Sequence, residues 1–179
     1  MNKDKILIVV DMQNDFISGS LGSSEAQAVV DRVCEKIRGW DGLILATMDT
    51  HGDDYLSTFE GLKLPVKHCI RDTDGWKLHS RVEHDLSEWG NERFMGKIVK
   101  DSFESIYLPQ TLKVLQAKHV EIVGLCTDIC VISNAFLIRS LAPDMTVTID
   151  ASCCAGSTPE NHISALRVLK ACCFDVTND

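Results

Sequence analysis

Two cysteines four residues apart, Cys126 and Cys130, stand in the stretch GLCTDICV, directly after an apolar run. A thiol in that place can be a nucleophile, a soft metal ligand or a small core hydrophobe. Three other apolar runs also end in polar residues. KILIVV runs into Asp11, GLILATM into Asp49-Thr50-His51, and the short run Lys97 to Val99 into Lys100. Taken singly, each has a bland explanation: a carboxylate forms a turn or a cap, a lysine snorkels, a D-x-H is solvated. Together, Asp11, Lys100 and Cys130 supply a base, a cation and a nucleophile. Alternate residues of an extended segment point the same way, so Asp49 and His51 can face one site. If a helix starts near Asp128, Cys130 lies in its first turn, where free N–H groups and the helix dipole lower a thiol's pKa and bind an oxyanion. Cys126 sits earlier, in the connecting turn.

The elements that must position these groups can be read from the apolar patterning. Strands are expected at Lys5–Val10, Gly42–Met48, Lys97–Val99, His119–Gly124, Met145–Ile149 and Cys172–Val176. Helices are expected at Ser24–Trp40, Leu108–Lys118, Ile129–Leu141 (stopped before Pro143) and Pro159–Lys170. Alternation of this kind predicts an α/β fold, a doubly wound sheet of about six mainly parallel strands with helices on both faces. Such sheets collect ligands at the carboxyl ends of their strands, where the polar residues fall. The segment from His51 to Gly96 reads as a long irregular loop, and long ordered loops are often functional. No linker, repeat or low-complexity tract interrupts residues 1–179, so one domain is expected.

Composition narrows the function classes. With 45% apolar and 25% charged residues, the chain is ordinary for a soluble globular protein. A formal net charge of −8 argues against a nucleic-acid partner or an anionic membrane surface, both of which need a basic patch. No run is apolar enough to span a bilayer, and MNKDKILIVVDMQ lacks a signal-peptide cleavage region, so a cytoplasmic location is expected. The eight cysteines then read as reduced thiols. No C-x-x-C occurs, and the adjacent pairs Cys153–Cys154 and Cys172–Cys173 are expected to be mainly core filler.

Three ordered motifs resemble those of the isochorismatase-like cysteine hydrolases, and within them the nicotinamidase-related amidohydrolases. VVDMQNDF is similar to the family's first-strand motif, KDSFES to its K-x-x-[YF]-[SD]-[AS]-F segment, and GLCTDICV to its G-[VLI]-x-T-[DE]-x-C-V signature. The resemblance spans nearly the whole chain and implies the fold inferred above. It implies a catalytic Asp11, Lys100 and Cys130, a cis peptide at Leu125–Cys126, and an oxyanion hole made by the backbone N–H groups of Cys126 and Cys130. Cys126 then contributes backbone only. The implied reaction is hydrolysis of nicotinamide or a related small carboxamide through an acyl-enzyme, and a homo-oligomer is expected.

MDTHGDDYLSTFEGLKLPVKHC resembles the nicotinamidase metal segment. It implies Asp49, His51 and His68 as ligands, with Glu60 matching a carboxylate that some members add. Mixed nitrogen and oxygen donors suit zinc, iron or manganese. The chain departs from the family at Asp72-Thr73, where G-T is usual, and at Pro65, where several nicotinamidases place a tryptophan against the pyridine ring. Phe16 remains as an aromatic wall. His79, His84, His119 and His162 match no motif and are expected to be surface or packing residues. Two alternatives stand beside this reading: an isochorismatase-like or N-carbamoyl hydrolase, of which the isochorismatase would not need the ligand set, and a catalytically silent binding or redox protein.

Overall fold

The computed structural model describes residues 1–179. Six parallel strands form one sheet: β1 (Lys5–Val10), β2 (Leu43–Asp49), β3 (Phe94–Lys100), β4 (His119–Leu125), β5 (Thr146–Ala155) and β6 (Asp175–Thr177). Their order is β3-β2-β1-β4-β5-β6, the doubly wound arrangement expected from the alternation. The order reverses between β1 and β4, and the crevice beyond their carboxyl ends is where such sheets bind ligands.

The sheet is apolar on both faces because helices cover both. Along β1, Ile6, Ile8 and Val10 enter one core with Leu108, Leu112, Ala135 and Ile138. Leu7 and Val9 enter the other with Val29, Val33, Ile37, Val82 and Leu86. This period-two division is the physical content of the uninterrupted run ILIVV.

The helices are α1 (Asn14–Ile17), α2 (Ser24–Gly39), α3 (Phe59–Lys63), α4 (Ser80–Glu88), α5 (Gly90–Arg93), α6 (Tyr107–Val114), α7 (Ile132–Leu141) and α8 (Pro159–Ala171). Ser23 caps α2 through Ala26 N–H at 3.0 Å, and Thr158 caps α8 through Asn161 N–H at 3.1 Å, with Pro159 at the first helical position. No helix is long and apolar enough to cross a membrane.

Three expectations need correction. The segment 51–96 is not one irregular loop, since it holds α3, α4 and α5. In α4 only Val82, Asp85 and Leu86 are buried, too few apolar positions to announce a helix. Strand β5 runs on to Ala155, well past Ile149. It does so across Asp150, a charge that breaks the apolar pattern but is neutralised by Lys36 at 2.7 Å. The last strand begins at Asp175, because Cys172 closes α8 and Cys173 turns the chain with φ +63°.

Candidate active site

Asp49 and Lys100 close their strands, Asp11 follows β1 directly, and Cys130 lies in the turn after β4. After Val10 the chain turns sharply, with Asp11 at φ +46°, in the left-handed region that Asp tolerates better than most residues. On the neighbouring strand, Gly124 has φ +116°, and a Cβ there would meet the Val10 carbonyl oxygen at 2.1 Å. Only glycine lets β4 pass this close to β1. Beyond it lie the cis peptide Leu125–Cys126 and a five-residue π-helical turn, Thr127–Val131, that leads into α7. Cys130 lies in that turn, beside Asp11.

The three groups expected to converge do so. Lys100 Nζ stands 2.7 Å from Asp11 Oδ2, 3.5 Å from Cys130 Sγ and 3.3 Å from Asp49 Oδ1, and donates to the Ser102 carbonyl at 3.0 Å. Lys97, the neighbouring lysine in sequence, pairs instead with Glu83 at the surface. Thr47 Oγ1 donates to Asp11 Oδ1 at 2.7 Å. Asp11 Oδ2 accepts no well-aligned hydrogen bond, although it touches the lysine. That oxygen keeps capacity for a proton, and the carboxylate and the Cys130 thiol share Lys100 as a neighbour.

The electrostatics follow from burial. Asp11 is fully buried, which raises its pKa, and Asp49 raises it further against the opposing pull of Lys100. Burial works against the charge on Lys100, yet Asp11, Cys130 and Asp49 outweigh it and lift the ammonium well above the usual lysine range. Cys130 differs from expectation. Burial, with Asp11 beside it, pushes the thiol well above the ordinary range despite Lys100, so the resting group is a protonated thiol. The helix start does not offset the loss of water around a side chain lodged in the core. Burial also pushes the Cys126 thiol up to about 12. What sets Cys130 apart is its contact with both a base and a cation, not a low intrinsic pKa.

A second cluster adjoins the first through Asp49. Its Oδ1 faces Lys100, while Oδ2 lies 2.9 Å from His51 Nε2 and 3.5 Å from His68 Nε2. Glu60 Oε1 is 3.7 Å from each of those nitrogens. The Asp49, His51 and His68 donor atoms all fall within 4.8 Å of one another. A tetrahedral ion with bonds of about 2.1 Å separates its ligands by about 3.4 Å, so these spacings fit a transition-metal site. His68 Nδ1 lies 2.8 Å from the Val66 carbonyl, which orients the ring with Nε2 inward, as outer contacts of metal-binding histidines do. Burial opposes ionisation of Asp49, but bonds from His51 and His68 and the charge of Lys100 hold its carboxyl far below the usual range. Phe16 is buried with its ring centroid 5.5 Å from that of His68, at the edge of this cluster.

Several supporting residues were not anticipated. Gln13 donates to the carbonyls of Asp49 and Trp76, each at 2.8 Å, and accepts from Asp49 N–H at 2.8 Å, tying the ends of β1 and β2 together. Asn134 donates to the Cys130 and Phe103 carbonyls at 2.7 and 3.1 Å and accepts from Ser105 N–H, fastening the segment after Lys100 to α7. His162, expected at the surface or in packing, is half-buried, and its Nδ1 lies 2.7 Å from Thr127 Oγ1. The only signal for Thr47 was a polar residue inside an otherwise apolar strand. Apart from Asn134–Cys130, these pairs join residues 29 or more positions apart, so no local pattern could announce them.

Six parallel strands thus gather a thiol, a carboxylate and a lysine at the point where strand order reverses. The chain belongs to the isochorismatase domain family, whose model matches residues 5–178. Among curated relatives, the nicotinamidase of Schizosaccharomyces pombe is 25% identical over 207 residues, covering 97% of this chain and 92% of its own. Among solved structures, the nicotinamidase PncA of Bacillus subtilis superposes with a TM-score of 0.84 at 25% identity, covering 97% of this chain and 98% of its own. The pyrazinamidase of Pyrococcus horikoshii in complex with zinc gives a TM-score of 0.77 at 26% identity, covering 98% and 99%.

Proposed function

We propose that this chain is an amidohydrolase that releases ammonia from nicotinamide or a related small carboxamide. The carrying observation is that one buried ammonium, Lys100 Nζ, touches both the Asp11 carboxylate and the Cys130 sulfur beside a ready donor set. The nicotinamidase and pyrazinamidase relatives support the substrate class.

In the proposed reaction Asp11 accepts the Cys130 proton as sulfur attacks the carboxamide carbon, forming the C–S bond. The carbonyl oxygen gathers negative charge facing the N–H groups of Cys126 and Cys130, where fixed donors favour the transition state over the ground state. Lys100 balances the single negative charge as it moves from Asp11 to sulfur. Protonated Asp11 then passes its proton to the departing nitrogen, the C–N bond breaks and ammonia leaves. A water deprotonated by Asp11 attacks the thioester, which collapses to the carboxylic acid and the free thiol. Asp49, His51 and His68, with Glu60 alongside, would hold a zinc, iron or manganese ion. Such an ion supplies a Lewis-acidic point for a ring nitrogen and thereby orients the substrate. Phe16 forms the wall against which a flat ring packs.

Ammonia release from a panel of small carboxamides, measured with and without chelator, tests this reading. Turnover lost on chelation and restored by added metal supports it. Full activity in metal-free protein replaces it with a metal-independent hydrolase, and no ammonia from any amide overturns it.

A further inference from the structure

The two residues that follow Cys126 are both fastened to the start of α8, far away in sequence. Thr127 is fully buried, and its hydroxyl meets His162 Nδ1 at 2.7 Å. Asp128 accepts from the Ser157 N–H at 2.7 Å and from the Ser157 hydroxyl at 2.5 Å. Asn161 Nδ2 in turn donates to Ser157 Oγ at 2.9 Å. Gly156 completes the fit, since a Cβ there would meet His162 N at 2.7 Å and Asp128 Oδ1 at 2.9 Å. Residues 127 and 128 therefore cannot shift without moving the first turn of another helix.

Those residues lie between Cys126 and Cys130, whose N–H groups make the proposed oxyanion hole. The Cys126 N–H donates to no other backbone carbonyl, so nothing on its acceptor side holds its direction. The Cys126 carbonyl accepts from Ile129 and Val131, both at 3.1 Å, which ties the turn to itself but not to the sheet. Side-chain bonds hold the turn from outside: Asn134 donates to the Cys130 carbonyl at 2.7 Å at its far end, and the Thr127–His162 bond fixes the end next to Cys126. An oxyanion donor works only when it is aimed in advance, because its advantage is that it need not reorganise during reaction.

We infer that His162 is a positioning residue for the amide hydrolysis proposed above: through Thr127 it fixes the turn that carries the oxyanion-hole N–H groups. The inference rests on that reading of the site, with His162 touching neither substrate nor thiol. Loss of its bond should cost transition-state stabilisation while leaving the Asp11–Lys100–Cys130 contacts in place. The expected loss is roughly tenfold to a hundredfold, below the 10²–10³-fold typical of deleting a donor outright.

The test compares His162→Leu, His162→Asn and Thr127→Val with the wild type. Asparagine puts a polar atom near the position of Nδ1, and leucine fills the space without one. Three readouts are needed: kcat and KM for ammonia release, the affinity of pyridine-3-carboxaldehyde, and the rate of Cys130 alkylation by iodoacetamide. The aldehyde adds the thiol across its carbonyl and so places an oxygen in the hole, whereas alkylation displaces iodide and forms no oxyanion. The inference expects His162→Leu and Thr127→Val to lower kcat and aldehyde affinity by similar factors. KM and alkylation should stay within about twofold, and His162→Asn should recover most of the loss.

Unchanged kcat and aldehyde affinity in both His162→Leu and Thr127→Val overturn the inference. So does a loss shared equally by alkylation, which marks a merely structural role. If His162→Leu does not fold, Thr127→Val decides, being nearly isosteric. A wild type that hydrolyses no carboxamide defeats the proposed activity instead, and the aldehyde comparison alone then decides this inference, equal affinities overturning it.

Discussion

Replacing Lys100 with methionine keeps an unbranched side chain of nearly the same length and removes the ammonium and its charge. In this site the ammonium is 1% exposed, 2.7 Å from Asp11 Oδ2 and 3.5 Å from Cys130 Sγ. At an effective dielectric of about 20, a full charge at those distances is worth about 6 and about 5 kcal/mol respectively. The two values are close, so Lys100 does not drive the proton from sulfur to carboxylate. Its role is to keep one negative charge in a dry site at all. Without it, burial and the repulsion of Asp49 leave Asp11 protonated at neutral pH, and no base remains for the thiol. Discounting the gross attraction for the cation's own desolvation leaves about 3–4 kcal/mol, a loss of about 10²- to 10³-fold in kcat/KM. Residual activity should move to higher pH, since only the Thr47 hydrogen bond then opposes the rise of Asp11, which must be deprotonated to act. Unpairing Asp11 and Asp49 should also destabilise the fold by about 3–5 kcal/mol, roughly 6–20 °C in Tm. The double variant Lys100→Met/Asp11→Asn should regain much of that stability and none of the activity. Ammonia release across pH, with thermal unfolding of both variants, measures all of this. A Lys100→Met enzyme within tenfold of wild type and with an unchanged pH profile would refute the reasoning.

Cys130→Ala should abolish turnover with little change in Tm, whereas Cys126→Ala should keep most activity, because only its backbone is used; equal losses would show the roles misassigned. Elemental analysis of protein purified without a histidine tag should find near-stoichiometric transition metal, and His51→Ala should remove it; wild-type protein free of metal would count against the donor set. Asp150 stands outside the site and tests the fold: its side chain is 2% exposed and held by Lys36, Ser152 and Asn178. Burial alone would raise its pKa, but those partners depress it, so its contribution is complete above the unfolded value of about 3.9 and is lost as pH falls through the lower folded value. Asp150→Asn should cost about 1.5–3 kcal/mol at pH 7 and much less in strong acid, read from denaturant midpoints; an equal cost at both pH values would contradict the assignment.

The sheet was legible because β1, β2 and β4 are mainly apolar runs that stop at polar or turn-forming residues. Asp11, Asp49 and Lys100 announce themselves at strand ends and Cys130 in the turn after β4, and their meeting follows from parallel strands sharing one carboxyl edge. Two kinds of feature escaped. Where a charge is cancelled by a distant partner, as Asp150 is by Lys36, the local pattern breaks although the strand continues. Where a site is aimed through a hydrogen bond across the fold, as between Thr47 and Asp11 or between His162 and Thr127, no local pattern pairs the two residues. The protonation of Cys130 escaped for a third reason. Helix starts are visible in sequence, but the water excluded from around a thiol is set by the assembled core.

Asp49 turns one oxygen to Lys100 and the other to two imidazoles. Loss of His51 and then His68 would leave untouched the contacts of Lys100 with Asp11 and with Asp49 Oδ1, because neither imidazole shares those oxygens. Loss of Lys100 first would instead strand two carboxylates in the dark interior at a single step. The order of permissible change is thus uneven. The imidazole half of this pocket can therefore vary while the contacts of the thiol half persist, and a scaffold so arranged is open to new substrates from one side.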